Sequence, residues 1–254
     1  MQIPVWRETL PEIDSTNTYC LTALRNKHPV NLPWLVVGEK QTAGRGRGEN
    51  RWFAGNGALT FSLVISPADF DLKSDTLGLL SLSTGVAICE ALESFYGQLS
   101  LKVKWPNDVY LNAKKLAGIL IESAHGPEGP LVIGVGINTH NSLLNAPVDV
   151  QQRAISLGDV LTDLDSNDTL VDTITQRMLQ SYLALGQSPA ETSESLRDRF
   201  QSRSYLDRLD VTITTGETIH QGICIGIDTR GGLILQTPAG TKTHYAGTVR
   251  LRSE

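Results

Sequence analysis

Trp34-Leu35-Val36-Val37-Gly38-Glu39-Lys40-Gln41-Thr42-Ala43-Gly44-Arg45-Gly46-Arg47-Gly48, followed three residues later by Arg51-Trp52, joins an apolar run to a loop of alternating glycine and arginine. The run over residues 34–41 reads as a buried strand, so the loop is anchored on a sheet. Glycine lets backbone N–H groups approach a bound anion, while Arg45 and Arg47 bring two guanidinium forks to the same place. That is the chemistry of a phosphate or carboxylate site. Trp52 adds a flat aromatic face on which a purine could stack. On composition alone, a surface loop with solvated arginines is the competing reading.

Two familiar phosphate motifs are excluded. A dinucleotide fingerprint needs glycine at its first, third and sixth positions, and the sixth position counted from Gly44 is Glu49. A Walker loop needs a closing Gly-Lys-Ser/Thr, which is missing.

Working outward, 254 residues with 40% hydrophobic and 19% charged content suit a globular chain with one sizeable core and room for a small second domain. The net charge of -5 argues against a general nucleic-acid binder. Around the loop the charge is positive and focused, with Lys40, Arg45, Arg47 and Arg51 against Glu39 and Glu49. Cys20, Cys89 and Cys224 are odd in number and far apart, which excludes a disulfide framework and a Cys-x-x-Cys motif. The five histidines lack metal-ligand spacing. No apolar stretch reads as a membrane span and the N-terminus carries no signal-peptide region, so the default location is cytoplasmic.

Residues 15–27 read as a helix capped by Asp14-Ser15-Thr16-Asn17. Residues 58–66 alternate like a strand, residues 76–96 carry helical spacing, and further strands are expected at 101–105, 116–123 and 131–138. This half reads as a mixed sheet with helices on one face. Helices follow at 169–185 and 190–200. Short strands with glycine turns from residue 209 then suggest a small barrel, with a domain boundary between 1–206 and 207–254.

Two more clusters carry chemistry. In Lys102-Val103-Lys104-Trp105-Pro106-Asn107-Asp108 and Lys114-Lys115-Leu116-Ala117-Gly118-Ile119-Leu120, Pro106 forces a turn and Lys115 heads an apolar strand. From there an ammonium group can point into a pocket, although a lysine-rich hairpin with a solvated tip fits the same letters. In Val132-Ile133-Gly134-Val135-Gly136-Ile137-Asn138, two glycines interrupt a strand, which marks a bulge, a packing contact or a backbone close to a ligand. Asn138 offers both donor and acceptor atoms.

These segments, in this order, resemble the signature of the biotin protein ligases, the biotin–[acetyl-CoA-carboxylase] ligases. The resembling stretches are residues 41–47, 104–108, 115–120 and 134–138, with Asp14-Ser15-Thr16-Asn17 as an opening motif. Gly226-Ile227-Asp228 and Val249-Arg250-Leu251-Arg252 resemble the family's C-terminal domain. The resemblance covers nearly the whole chain. It implies an α+β fold, a mixed β-sheet with flanking helices like that of class II aminoacyl-tRNA synthetases, followed by a small Src-homology-3-like β-barrel.

The resemblance further implies that biotin and ATP form biotinyl-5′-AMP, and that biotin then passes to a lysine of a biotin carboxyl carrier protein subunit of acetyl-CoA carboxylase or a similar carboxylase. Lys115, Arg45 and Arg47 would be catalytic. Ser15, Thr16, Asn17, Gln41, Gly44, Gly46, Gly118, Gly134 and Gly136 would join them around biotin. Trp52, Lys104, Asn107, Asp108, Asn138 and Arg252 would join Arg47 and Lys115 around ATP and the adenylate, and Asn107, Asp108 and Asn138 would hold Mg²⁺. The loop over residues 44–52 would close over the adenylate.

Only thirteen residues precede Asp14, too few for the DNA-binding head that some members carry, so no DNA partner is expected. No membrane partner is expected either, and the chain is taken as a monomer or weak homodimer. Glu49 lowers the loop's positive charge relative to repressor-type members. The competing functions are a lipoate or octanoate ligase, which generally lacks the Gly-Arg-Gly-Arg and Lys-Trp-Pro-Asn-Asp runs, and a non-catalytic biotin-sensing interaction module.

Overall fold

A computed structural model describes residues 2–73, 76–126 and 129–252. Seven strands form the main sheet: β1 (Trp6–Leu10), β2 (Trp34–Gly38), β3 (Leu59–Ile65), β4 (Leu101–Lys104), β5 (Asp108–Leu111), β6 (Lys114–Ser123) and β7 (Leu131–Ile137). Their order is β1-β2-β3-β7-β6-β5-β4, with β1 parallel to β2 and the other neighbours antiparallel. The helices are α1 (Thr16–Arg25), α2 (Leu80–Phe95), the short α3 (Val148–Arg153), α4 (Asn167–Gln187) and α5 (Pro189–Arg203). Two elements of the sheet escape a reading by pattern. β1 is half-exposed and mixes Arg7, Glu8 and Thr9 with its apolar ends, and β5 is only four residues long, just beyond the Pro106 turn.

Helices cover both faces of the sheet, not one as the sequence suggested. In β3, Leu59, Phe61, Leu63 and Ile65 join α2 and α4 in the large core, whereas Val64 joins Cys20, Leu21, Leu24, Val36 and Val132 in a smaller core under α1. Successive side chains of a strand point to opposite faces, so Thr60 and Ser62 lie on the α1 side. A strand buried on both faces with Ser and Thr on one of them looks, in sequence, like a strand that shows that face to water.

The stretch Leu77–Phe95 has the length and apolarity of a membrane span, 19 residues with a mean hydropathy of 1.3, which corrects the expectation that no such stretch exists. In the fold its Val86, Ile88, Cys89 and Leu92 are fully buried between the sheet and α4, as in a core helix. All three cysteines are buried as free thiols, and burial raises their pKa values. Thiolate chemistry is thereby disfavoured.

The C-terminal strands β8 (Asp210–Thr215), β9 (Thr218–Ile227), β10 (Leu233–Thr237), β11 (Gly240–His244) and β12 (Thr248–Leu251) form a second antiparallel sheet in the order β11-β10-β9-β8-β12. The rings of His220 on β9 and His244 on β11 lie 4.6 Å apart although β10 separates their strands, so the sheet curls on itself. Val211, Ile213, Cys224, Leu233 and Leu235 fill its interior and join the large core. Trp105, at the end of β4, donates from Nε1 to Gly231 O at 2.9 Å and ties the two sheets together.

Candidate active site

The site lies on the α1 face of the main sheet, beside the smaller core. The register pairs Thr60 of β3 with Gly136 of β7 and Gly136 with Gly118 of β6; one step along, Ser62 pairs with Gly134 and Gly134 with Leu120. The floor is therefore a patch of hydroxyls and bare backbone where the same face elsewhere carries valines. Over it opens a cavity of about 530 Å³.

The two strand glycines serve close approach. A Cβ on Gly134 would stand 2.2 Å from Asn17 Oδ1, and one on Gly136 would stand 2.4 Å from Trp52 Cε2. Trp52 thus lies flat on the floor at Gly136, with Lys115 Nζ 5.8 Å from the centre of its ring.

The glycine-arginine loop is a small hairpin. Arg45 bridges Arg51, Gly46 N donates to Asn50 O and Trp52 N donates to Gly44 O. Its tip passes through Gly48 at φ 61°, a left-handed conformation that favours glycine. Gly44 stands behind the wall, because any side chain there would strike Trp52 O at 2.4 Å. Arg47 crosses to the second sheet, donating to Asn107 Oδ1 at 3.3 Å and Gly247 O at 3.4 Å.

Lys115 is fixed through its backbone on two sides. It pairs with Tyr110 of β5, and its carbonyl accepts from Ile155 N at 3.0 Å. Asn112 and Ala113, both at positive φ, make the tight two-residue turn that returns the chain from β5 to β6. That turn brings Lys115 Nζ to 2.6 Å from Asp108 Oδ1. Asn107 anchors the adjacent turn by donating from Nδ2 to Ile119 O at 2.7 Å. Lys104 Nζ sits 3.2 Å from Tyr110 Oη and 5.0 Å from the centre of that ring.

At the other end, Ser15 caps α1 by accepting from Thr18 N. Gln41 Oε1 accepts from Thr16 N at 3.0 Å and from Thr16 Oγ1 at 3.3 Å. Ser62 Oγ lies 2.8 Å from Thr16 Oγ1 and 2.6 Å from Asn17 Oδ1.

Of the residues expected from sequence, Ser15, Thr16, Asn17, Gln41, Arg45, Gly46, Arg47, Trp52, Lys104, Asn107, Asp108, Lys115, Gly118, Gly134 and Gly136 all line this one cavity. Three do not. Gly44 is the hairpin contact just described. Asn138 is 2% exposed, and its Oδ1 accepts from Asn141 Nδ2 at 3.1 Å, so its amide serves the turn after β7. Arg252 is exposed at the end of β12, paired with Asp210 at 2.8 Å. The structure adds Glu49, Asn50, Leu120 and, from the second sheet, Thr214, Thr215, Gly216, Gly247 and Thr248 to the lining. No chemical motif marks these last five; only the fold brings that sheet over the cavity.

Among the described residues no group of three or more His, Cys, Asp or Glu could hold a metal ion. The site is instead a cationic channel running from α1 to the second sheet, with its cations spaced along a neutral glycine floor.

Residues 9–138 match the biotin/lipoate A/B protein ligase family, and residues 210–252 match the biotin protein ligase C terminal domain. The chain belongs to the biotin/lipoate A/B protein ligase family. It is 34% identical to the bifunctional ligase/repressor BirA of Salmonella typhimurium, over 96% of this chain and 73% of that protein. It is 30% identical to the biotin--[acetyl-CoA-carboxylase] ligase of Paracoccus denitrificans, over 94% of this chain and 98% of that one. A solved structure of biotin protein ligase from Aquifex aeolicus in complex with biotin and ATP superposes with a TM-score of 0.84 at 25% identity, covering 97% of this chain and 99% of that one.

Proposed function

We propose that the chain is an ATP-dependent biotin protein ligase that makes biotinyl-5′-AMP and passes biotin to a lysine of a biotin carboxyl carrier protein. The observation that carries this reading is one cavity lined both by neutral hydrogen-bonding groups, at Thr16 and Gln41, and by the cations Arg45, Arg47 and Lys115. Biotin has that shape, a neutral ureido ring at one end and a carboxylate at the other. The match of residues 210–252 to the biotin protein ligase C terminal domain favours biotin over lipoate as the acyl group.

In the first step a biotin carboxylate oxygen attacks the α-phosphorus of ATP, the bond to the β-phosphate oxygen breaks and pyrophosphate leaves. Attacker and electrophile are both anionic, so the barrier falls mainly by fixing charge and position. Lys115 would bridge the carboxylate and an α-phosphate oxygen, and Arg45 and Arg47 would neutralise the oxygens on either side. In the second step an acceptor amine attacks the acyl carbon, the carbon–oxygen bond to phosphate breaks, AMP leaves and the amine's proton goes to solvent.

Mg²⁺ would enter with the nucleotide. Of the expected ligands only Asp108 offers a carboxylate to the cavity, which suits an ion held mostly by phosphate and water. The adenine would stack on Trp52. We also infer a division of the chain into 1–206 and 207–254, since α5 ends at Arg203 and β8 begins at Asp210. Arg47 and the lining residues of β8 and β12 make the smaller unit part of the cavity wall.

Biotin-dependent exchange of labelled pyrophosphate into ATP tests the reading. Exchange that requires biotin and not lipoate is expected; exchange indifferent to biotin overturns it. Hydrogen exchange tests loop closure separately. Amides of residues 44–52 are expected to gain protection with biotin and ATP together, and unchanged protection counts against closure.

A further inference from the structure

Glu122 lies on β6, four residues beyond Gly118 on the same face of the sheet, outside every motif the sequence singled out. Its carboxylate receives a two-pronged contact from Arg45, with Nη2 at 2.7 Å from Oε1 and Nη1 at 3.1 Å from Oε2, while Asn17 Nδ2 donates to Oε2 at 2.9 Å. The side chain is 23% exposed, against 43% for Arg45. The better-buried partner therefore fixes the more exposed one. A paired fork uses two of the five guanidinium N–H donors and leaves three directed elsewhere.

The contact also closes a circuit. Gln41 bonds Thr16, Thr16 bonds Ser62, Ser62 bonds Asn17, Asn17 bonds Glu122 and Glu122 bonds Arg45, which is four residues from Gln41 along the loop. The base of the loop is thus held at both ends by one polar network laid across the sheet. Networks of this kind, fully paired, hold their members in one geometry.

We propose that Glu122 is a positioning residue for the adenylation step, holding Arg45 against the cavity wall so that its remaining N–H groups meet the substrate carboxylate. Glu122 acts through Arg45, and its other described side-chain partner is Asn17. The inference rests on the biotin ligase reading above. It differs from a competitor role, in which Glu122 would occupy the arginine and have to be displaced by the incoming anion.

The test compares two ligands that share the ureido ring and differ in charge at the other end, biotin and biotin methyl ester, by calorimetry on wild type, Glu122→Gln, Arg45→Ala and the double variant. Glu122→Gln is expected to weaken biotin by about tenfold while moving the ester by less than about twofold, and to add nothing further in the Arg45→Ala background. Equal losses for both ligands would indicate general damage to the network and overturn the proposal. Tighter binding of biotin would establish competition instead, and unchanged binding would show that Glu122 does not position Arg45. Additive effects in the double variant would also overturn it. Failure of wild type to bind biotin would instead sink the ligase reading.

Discussion

Lys115→Ala is expected to lower the turnover of biotin-dependent pyrophosphate exchange by about 10²- to 10³-fold, the loss typical of removing one preorganised charge from a transition state. In the proposed reaction the lysine bridges carboxylate and α-phosphate, and its backbone is pinned from both sides. Lys115 is held by Tyr110 on β5 and by Ile155 beyond α3. Its flexible stem ends in a compact charge that can follow oxygens as the bond forms, which a rigid guanidinium fork does less well. The side chain is 32% exposed, so its loss should leave the fold intact. Asp108 is 22% exposed as a side chain, and removing the lysine stem opens its buried Oδ1 to water. The measurement is kcat and KM for ATP beside the thermal midpoint. A fall in kcat at an unchanged midpoint assigns the charge to the transition state, whereas undiminished exchange removes Lys115 from the chemistry.

Gly134→Ala is expected to be the most damaging single methyl group in the site. The new Cβ would lie 2.2, 2.7 and 2.9 Å from Oδ1, Cγ and Nδ2 of Asn17. Asn17 cannot step aside cheaply, since it is 3% exposed and bonded to Ser62, Leu120 O and Glu122. Moving it breaks one buried and two part-buried hydrogen bonds and dismantles the support of Thr16 and Arg45 together. We expect a loss of about 2–3 kcal/mol in stability and at least about a hundredfold in biotin affinity. Thermal unfolding and calorimetry check the two effects. Gly118→Ala is the comparison for stability alone, because its Cβ would meet the flexible end of Lys115 at 3.1 Å and that end can move at little cost to the fold. A Gly134→Ala protein with wild-type affinity would show that Asn17 does not set the pocket's shape.

Residues with distinctive chemistry were legible in the sequence. The loop of residues 41–52, the Lys115 strand and the interrupted strand at Gly134 and Gly136 announce themselves through glycine spacing and charge, and they meet in one cavity. Ser62 and Glu122 were not legible, because serine in an alternating strand and glutamate near a strand end read as solvent-facing positions. Only the packing of that face under α1 buries Ser62 and draws Glu122 into the polar network. Asn138 went the other way, since a versatile amide beside two glycines looks like a ligand contact until Asn141 is seen to occupy it. Arg252 likewise follows the second sheet's pattern yet ends on Asp210 at the surface. The contribution of β8 and β12 to the cavity depends on how the second sheet docks, which no local pattern encodes.

The floor strands β3, β6 and β7 carry two messages interleaved letter by letter. Odd positions such as Phe61, Leu63, Ile133 and Ile137 belong to the large core, while even positions such as Ser62, Gly134, Gly136 and Gly118 shape the cavity. A change at an odd position therefore falls first on the core, and a change at an even position falls first on the cavity. Descendants of this chain can drift toward greater thermal robustness along the odd letters without rewriting what the pocket accepts. They can revise its ligand along the even letters where the neighbouring side chain has room to give way, as the end of Lys115 does at Gly118.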